Sequence, residues 1–508
     1  MRAFCKLFLM IGLGLFIPGA VLPDKMTRTE EILEKLCEGR IDVERIYELR
    51  DLQQFYKEHP QRLNWTSSQA QEIISAIEAA KAHGLNPEDY HRKAIVDLSA
   101  SANSRNSLDL ELLLTDSFLR LAHHLANGRI EPMNSWKMKR PQHDPLKLLN
   151  EATTSENIFQ LLYSVEPQSI QYKLLLEALR VHNEIAEEGG WQKIQVERKL
   201  RLGVQGEDVA DLKQRLKASW EFFDKDPESQ LFDQHLEMAV KQFQQAHGLK
   251  VDGIVGNETF EELNVPVEKR IRQLIINLER ARWISEDLGD RYIRINIPSF
   301  ELSVVQEGQE FLTMRIIVGR SSWASPVFLS SIITYVETNP FWNVPSAIAE
   351  KEIWPRVYRD QNYLKKNRLK MIKRSDGSVL LRQEPGPNNS LGLIKIHFEN
   401  DEGCYLHDTP EKGLFGMANR AFSHGCIRLE NSFELATYLL MNEPGWDQDK
   451  LESTIKDGLR KKIYLSDPFP IFILYLTAWP DSSGVVQFRK DIYHLDSLLE
   501  RKLQLPNE

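Results

Sequence analysis

The hydrophobic pattern of this chain changes period, and that change constrains the fold more than any other feature. Up to about residue 190 apolar residues recur at steps of three and four. In Leu108–Leu125 they fall at Leu110, Leu113, Leu114, Phe118, Leu121 and Leu125, which lie on one face of a helix. Ser68–His83 reads the same way and stops at Gly84, a helix-ending residue. These stripes read as core packing. From about residue 290 the pattern alternates instead. Tyr292–Ile297, Leu302–Gln306, Met314–Val318, Tyr335–Val336, Ile394–Phe398, Ile463–Leu465 and Pro470–Thr477 are predicted strands, several bounded by Pro, Ser or Gly. The 508 residues therefore divide into a helical region over 27–197 and a mostly-β region over 285–495. The expected class is multidomain α+β.

Residues 198–266 form a third unit. Val209, Leu212 and Leu216 mark one short helix, Leu236, Ala239, Val240 and Phe243 a second, and Thr259, Phe260 and Leu263 a third. Gly248, Asp252-Gly253 and Gly256 supply the turns. A module of this size is too small to be the catalytic body. The polar stretch 354–390 carries Lys365, Lys366, Arg368, Lys370, Lys373 and Arg374 and a turn signal at Ser375-Asp376-Gly377-Ser378. It reads either as a solvated face or as a lid whose cations meet an anionic substrate.

The first twenty residues combine Arg2 and Lys6, an apolar run from Leu7 to Ile17, and Pro18-Gly19-Ala20. This is the pattern of a secretory signal peptide, cleaved or kept as an anchor. Export, with a periplasmic location, is the expectation. The net charge of −9 argues against a nucleic-acid partner, which needs a basic footprint. Four cysteines in 508 residues cannot staple the fold. Without the signal only Cys37, Cys404 and Cys426 remain, so at least one thiol is unpaired and needs a reason.

The reason lies in Cys404-Tyr405-Leu406-His407-Asp408 and Ala421-Phe422-Ser423-His424-Gly425-Cys426-Ile427-Arg428-Leu429. A thiol becomes a good nucleophile once a neighbouring base takes its proton. Cys426 is the candidate nucleophile, and His424 and His407 are both candidate bases. Amides at Gly425 and Cys426 are candidate donors to a developing oxyanion. Arg428 continues the alternation and suits a carboxylate. Two other readings use the same residues. Cys404, His407, His424 and Cys426 are by composition a zinc set. A Cys404–Cys426 disulfide is also compatible with export and would silence the nucleophile.

Ser423-His424-Gly425-Cys426-Ile427-Arg428-Leu429, with His407 upstream, resembles the catalytic signature of L,D-transpeptidases of the YkuD class. Asn339–Pro345, Ile353-Trp354-Pro355, Gly386-Pro387, Leu391–Lys395 and Tyr475–Trp479 are similar to the large YcbB-type members, as are Gly319–Phe328, Gly84–His91 and Leu125–Arg129. Residues 198–266 resemble a peptidoglycan-binding domain, through Leu200–Val209, Ala239–Gln244 and Gly248–Phe260.

The resemblance implies Cys426 as nucleophile and His407 as general base and then acid, with a backbone carbonyl near Asp408 fixing its tautomer. It implies Tyr405, Ser423, His424 and Arg428 on the substrate side and residues 354–390 as a capping insertion. The implied reaction takes a tetrapeptide stem of peptidoglycan, releases D-Ala, and forms a third-to-third cross-link to a neighbouring stem. It needs no metal and no cofactor. Water as acceptor gives an L,D-carboxypeptidase; a wall-binding scaffold without activity is the alternative from another class. Carbapenems are expected to acylate Cys426. The implied partners are the donor and acceptor stems, and wall-synthesis proteins.

Overall fold

The computed structural model describes residues 28–59, 65–100, 107–132, 136–138, 143–195, 198–219, 229–285, 287–323 and 328–505. The signal segment over residues 1–20 lies outside them, as does 324–327 of the Gly319–Phe328 motif. Among the described residues no helix is long and apolar enough to cross a membrane.

The helical region forms where the periodicity places it. Helix α1 spans Ser107–Asn127 and buries Leu113, Leu114, Phe118, Leu121 and Leu125. It packs in one core with the helices Leu49–Glu58 and Ser67–Ala79. Thr66 caps the latter, accepting from the backbone of Gln69. A 3₁₀ turn over Ala80–His83 then ends at Gly84 in the left-handed region. Helix α2 spans Ile170–Glu187. The small module holds three helices, Glu207–Ala218, Gln234–Ala246 and Asn257–Leu263, around Leu212, Leu216, Leu236, Phe243 and Leu263.

Helix α3, Val267–Arg282, falls between the units read from the sequence. Its Leu274 and Leu278 pack with Tyr172, Leu175 and Leu179 of α2 and with Ala478 and Phe488. Its charged residues Arg270, Glu279, Arg280 and Arg282 are buried too. Arg280 pairs with Asp496 at 2.6 Å, Arg282 with Glu279 at 3.3 Å, and Arg270 with Glu262 of the module. The amphipathic stripe that marks a surface helix is thus masked by buried ion pairs. The module is also held by Arg489, which donates to the Ala246 carbonyl at 2.8 Å.

The β region is a sheet that closes on itself. Its strands are β1 (Trp136–Lys137), β2 (Arg291–Asn296), β3 (Glu301–Gln306), β4 (Gln309–Gly319), β5 (Phe328–Thr338), β6 (Ile394–Phe398), β7 (Leu406–His407), β8 (Ala421–Ser423), β9 (Ile427–Leu429) and β10 (Lys461–Leu474). The order is β6-β7-β9-β4-β3-β2-β10-β5-β1, β8 pairs with β4, and a β6–β5 pairing completes the ring. Ile293, Ile295, Val336, Ile394, Ile396, Leu406, Ile427 and Ile463 fill the inside. The alternate residues face outward.

Three features differ from the sequence reading. Strand β1 comes from the helical region and pairs in parallel with β5, where Trp136 meets Trp283 edge-on at 5.2 Å. Ile463–Leu465 and Pro470–Thr477 are one strand, β10, which ends at Leu474 and shifts register between Tyr464 and Phe469. Prolines at 468 and 470 lack the amide hydrogen that a regular ladder needs. The insertion begins before 354. Trp342–Asn343, Leu369–Lys373 and Val379–Gln383 form a small antiparallel sheet, which shares a core of Val344, Ile348, Ile353, Leu369 and Leu381. The hairpin turn falls where the sequence signals it, with Ser378 donating to Asp376 at 2.9 Å.

Candidate active site

Cys426 immediately precedes β9, and His407 ends β7. The two strands run in parallel, with Leu406 opposite Ile427 and His407 opposite Arg428. The amide of Ile427 donates to the carbonyl of Tyr405 at 3.2 Å, so Cys426 lies beside Tyr405. Side chains alternate along each strand, which puts Tyr405, His407, Cys426 and Arg428 on the outward face. The Tyr405 and His407 rings meet edge-on at 5.6 Å.

His407 is buried and its Nδ1 donates to the carbonyl of Asp408 at 2.5 Å. That bond fixes the tautomer and leaves the Nε2 lone pair as the acceptor. Burial holds the imidazole down to about 3, and Arg428 adds to the effect. The ring is therefore neutral at physiological pH. The Asp408 carboxylate takes no part in this contact. It accepts from the Leu393 amide at 2.9 Å and pairs with Lys412 at 2.7 Å. Gly392, at φ +62°, permits that packing, since a Cβ there would lie 2.2 Å from Asp408 Oδ2.

The Cys426 thiol is held below the ordinary thiol range. The neighbouring Cys404 thiol contributes most, and the Tyr405 amide, the Tyr405 hydroxyl and Lys395 contribute further; burial opposes them. Cys404 is pushed up correspondingly by Cys426 and by burial. Cys404 and Cys426 are both free thiols, so neither a Cys404–Cys426 nor a Cys37–Cys404 disulfide is present. Sequence reasoning treated Cys404 as a disulfide or zinc partner; its thiol donates to the Gly425 carbonyl at 3.7 Å, beside the nucleophile candidate. The register of β7 against β9 was the missing information.

His424 and Gly425 are not in a strand, so His424 does not share a face with Cys426 through simple alternation. Gly425 has φ +128°, a conformation open to glycine and strained for other residues. The turn sends His424 toward the insertion, where its Nε2 contacts Glu352 at 2.7 Å and Trp323 meets it edge-on at 4.6 Å. The insertion thus reaches the site through Glu352. The Gly425 amide is engaged by Ser423 Oγ at 3.2 Å, and that hydroxyl donates to the Cys426 carbonyl at 2.6 Å. Ser423 is therefore a brace of the turn, and of the two candidate oxyanion donors the Cys426 amide is the one left. Arg428 pairs with Glu411, while its buried Nε has no acceptor. Among the described residues no group of three or more His, Cys, Asp or Glu side chains is placed to hold a metal ion.

Residues 290–446 match the family model of the L,D-transpeptidase catalytic domain, residues 205–263 that of a "Putative peptidoglycan binding domain", and residues 50–179 that of a scaffold domain. The chain carries an L,D-transpeptidase catalytic domain together with a peptidoglycan-binding domain. A curated relative from Haemophilus influenzae, named "Putative L,D-transpeptidase", is 31% identical over 242 residues. The match covers 44% of this chain and 48% of that relative, about half its length. Among solved structures, an L,D-transpeptidase from Xylanimonas cellulosilytica is 14% identical, with 55% of this chain and 99% of that one covered and a TM-score of 0.21. An L,D-transpeptidase solved in complex with imipenem is 17% identical, with 36% and 59% covered and a TM-score of 0.19. Structural likeness at these scores adds nothing to the family match.

Proposed function

We propose that this protein is an exported L,D-transpeptidase that cross-links peptidoglycan stems in the periplasm through a cysteine acyl-enzyme. The observation that carries the reading is the register of β7 on β9, which sets on one face of neighbouring strands a thiol held below its ordinary range and a neutral histidine whose tautomer a backbone carbonyl fixes. The Cys426 thiolate attacks the carbonyl at the L-centre of the third residue of a tetrapeptide stem. The Cys426 amide supports the oxyanion. Charged through the proton taken from the thiol, His407 gives it to the departing D-Ala nitrogen, and a thioester remains. The amine of a neighbouring third residue then attacks, His407 takes its proton, and Cys426 leaves. Each bond broken is balanced by one formed, so no metal, cofactor or nucleotide is needed. The peptidoglycan-binding module and the helical region hold this site near its polymer.

The test is to incubate the purified protein with disaccharide-tetrapeptide and read the products by mass spectrometry. A dimer that has lost one D-Ala is expected. Loss of D-Ala without dimer makes the protein a carboxypeptidase instead. Identical spectra for the wild type and Cys426→Ala sink the enzymatic reading. A carbapenem is expected to add its mass to the wild type and not to Cys426→Ala.

A further inference from the structure

The outward face of the closed sheet carries two rows of side chains that lead up to His407 and Cys426, and most of their members have no part in the reaction above. The registers are continuous. Lys462 of β10 is opposite Glu337 of β5, Glu337 opposite Lys395 of β6, Lys395 opposite His407 of β7, and His407 opposite Arg428 of β9. The next row runs Tyr464, Tyr335, His397, with Tyr335 and His397 stacked at 4.6 Å, and continues in register to Tyr405 and Cys426. A row of charge thus lies beside a row of rings; the first ends at Arg428 and the second at the thiol.

The charge in that row is unbalanced. Glu337 is buried and its carboxylate is taken by Arg460, at 2.6 Å. Among the described residues no carboxylate lies within ion-pair distance of Lys395 or Lys462, and Glu337 acts on Lys395 only at longer range. Their ammonium groups lie over rings instead, Lys395 at 3.9 Å from the Tyr405 centroid and Lys462 at 4.7 Å from that of Tyr335. The Arg428 Nε is buried without an acceptor. Burial also holds Lys395 below the usual lysine range. Of these cations Lys395 is the one whose burial is costly and that has no close anion, and a ligand carboxylate would offset that cost. Strands are about 4.8 Å apart, so the Lys395 ammonium, over the Tyr405 ring on the strand next to Cys426, is about one residue's reach from an acyl group on the thiol.

We propose that Lys395 anchors the C-terminal carboxylate of the peptide whose preceding carbonyl meets Cys426, with Lys462 and Arg428 setting the positive field around it. This rests on the proposed function. It makes the site select a stem that ends one residue after the bond to be broken, because a longer stem would carry its carboxylate past the ammonium.

The experiment measures protection of Cys426 from iodoacetamide by disaccharide-tetrapeptide and by the same compound with a C-terminal amide, alongside turnover of both. An ion-paired hydrogen bond corresponds to about a tenfold affinity difference or more. The acid is therefore expected to half-protect at about one-tenth the concentration of the amide. Lys395→Met is expected to raise the acid's value to the amide's, Lys395→Arg to keep most of the gap, and Lys462→Met to narrow it only slightly. Lys395→Arg also keeps the test valid if the Met variant does not fold. Equal protection by acid and amide in the wild type overturns the anchor. So does a full gap in Lys395→Met, a gap lost equally in Lys462→Met, or a Lys395→Met effect confined to the pH profile of alkylation. A gap without turnover would sink the transpeptidase reading and leave the anchor standing.

Discussion

Helix α3 and the outward face of the sheet both carry cations, and they treat them in opposite ways. On α3, Arg270, Arg280 and Arg282 each have a carboxylate: Glu262, Asp496 and Glu279. Arg282 also donates to the His83 carbonyl at 2.6 Å and to the Tyr172 hydroxyl at 3.0 Å. On the sheet face, Lys395 and Lys462 rest on rings, and among the described residues neither has a carboxylate within ion-pair distance. The first arrangement ties three units together. The second leaves charge available for something that arrives. Buried arginines paired with carboxylates hold the units together, whereas a half-buried lysine left on a ring is a candidate site.

The comparison can be broken in several places. The largest effect is expected at the site itself, where His407→Asn should lower transpeptidation by about 10³-fold, read as the initial rate of dimer formation, with little change in fold. On α3, Arg280→Met leaves Asp496 buried and unpaired and should cost about 3–5 kcal/mol in chemical unfolding. An unchanged transition would show that α3 is not the joint between units.

Acid gives a further test. Burial holds His407 to about 3 and His182 to about 4, against an ordinary value of 6.5. The folded state keeps both neutral while the unfolded chain takes up protons. Their stabilising contribution is therefore complete above about pH 6.5 and is lost as pH falls, through 4 for His182 and 3 for His407. The thermal midpoint should drop through that window, and His182→Gln should flatten its upper part. A smaller effect is expected for Cys404→Ala, which should move the alkylation profile of Cys426 to higher pH by removing the group that lowers its thiol most. The smallest is Lys462→Met, an exposed change on the sheet that should leave the thermal midpoint in place while α3 variants lower it.

Much of the architecture is legible in the sequence because it rests on local periodicity. Leu113, Phe118 and Leu121 recur at helical spacing, and Ile394–Phe398 alternates along the strand it forms. Helix α3 was not legible, because Arg270, Glu279, Arg280 and Arg282 look like a solvated surface until their distant partners are known. Strand β1 was missed for a similar reason: Trp136–Lys137 is too short to show a period, and its partner β5 lies far along the chain. At the site, the His407 and Cys426 motif is local in each half. The choice between His407 and His424 was not, and the turn at Gly425 is what directs His424 to Glu352.

The sequence by itself determined the three units, the family signature and the short list of reactive side chains, since each depends on spacing over a few residues. Tertiary structure decided which of those side chains meet. It set Cys404 beside Cys426, locked His407 onto the Asp408 carbonyl, engaged the Gly425 amide with Ser423, and lined up Lys462, Glu337, Lys395 and Arg428 from four strands. The reason is physical: strand register and burial are long-range quantities, and no window of sequence contains both partners.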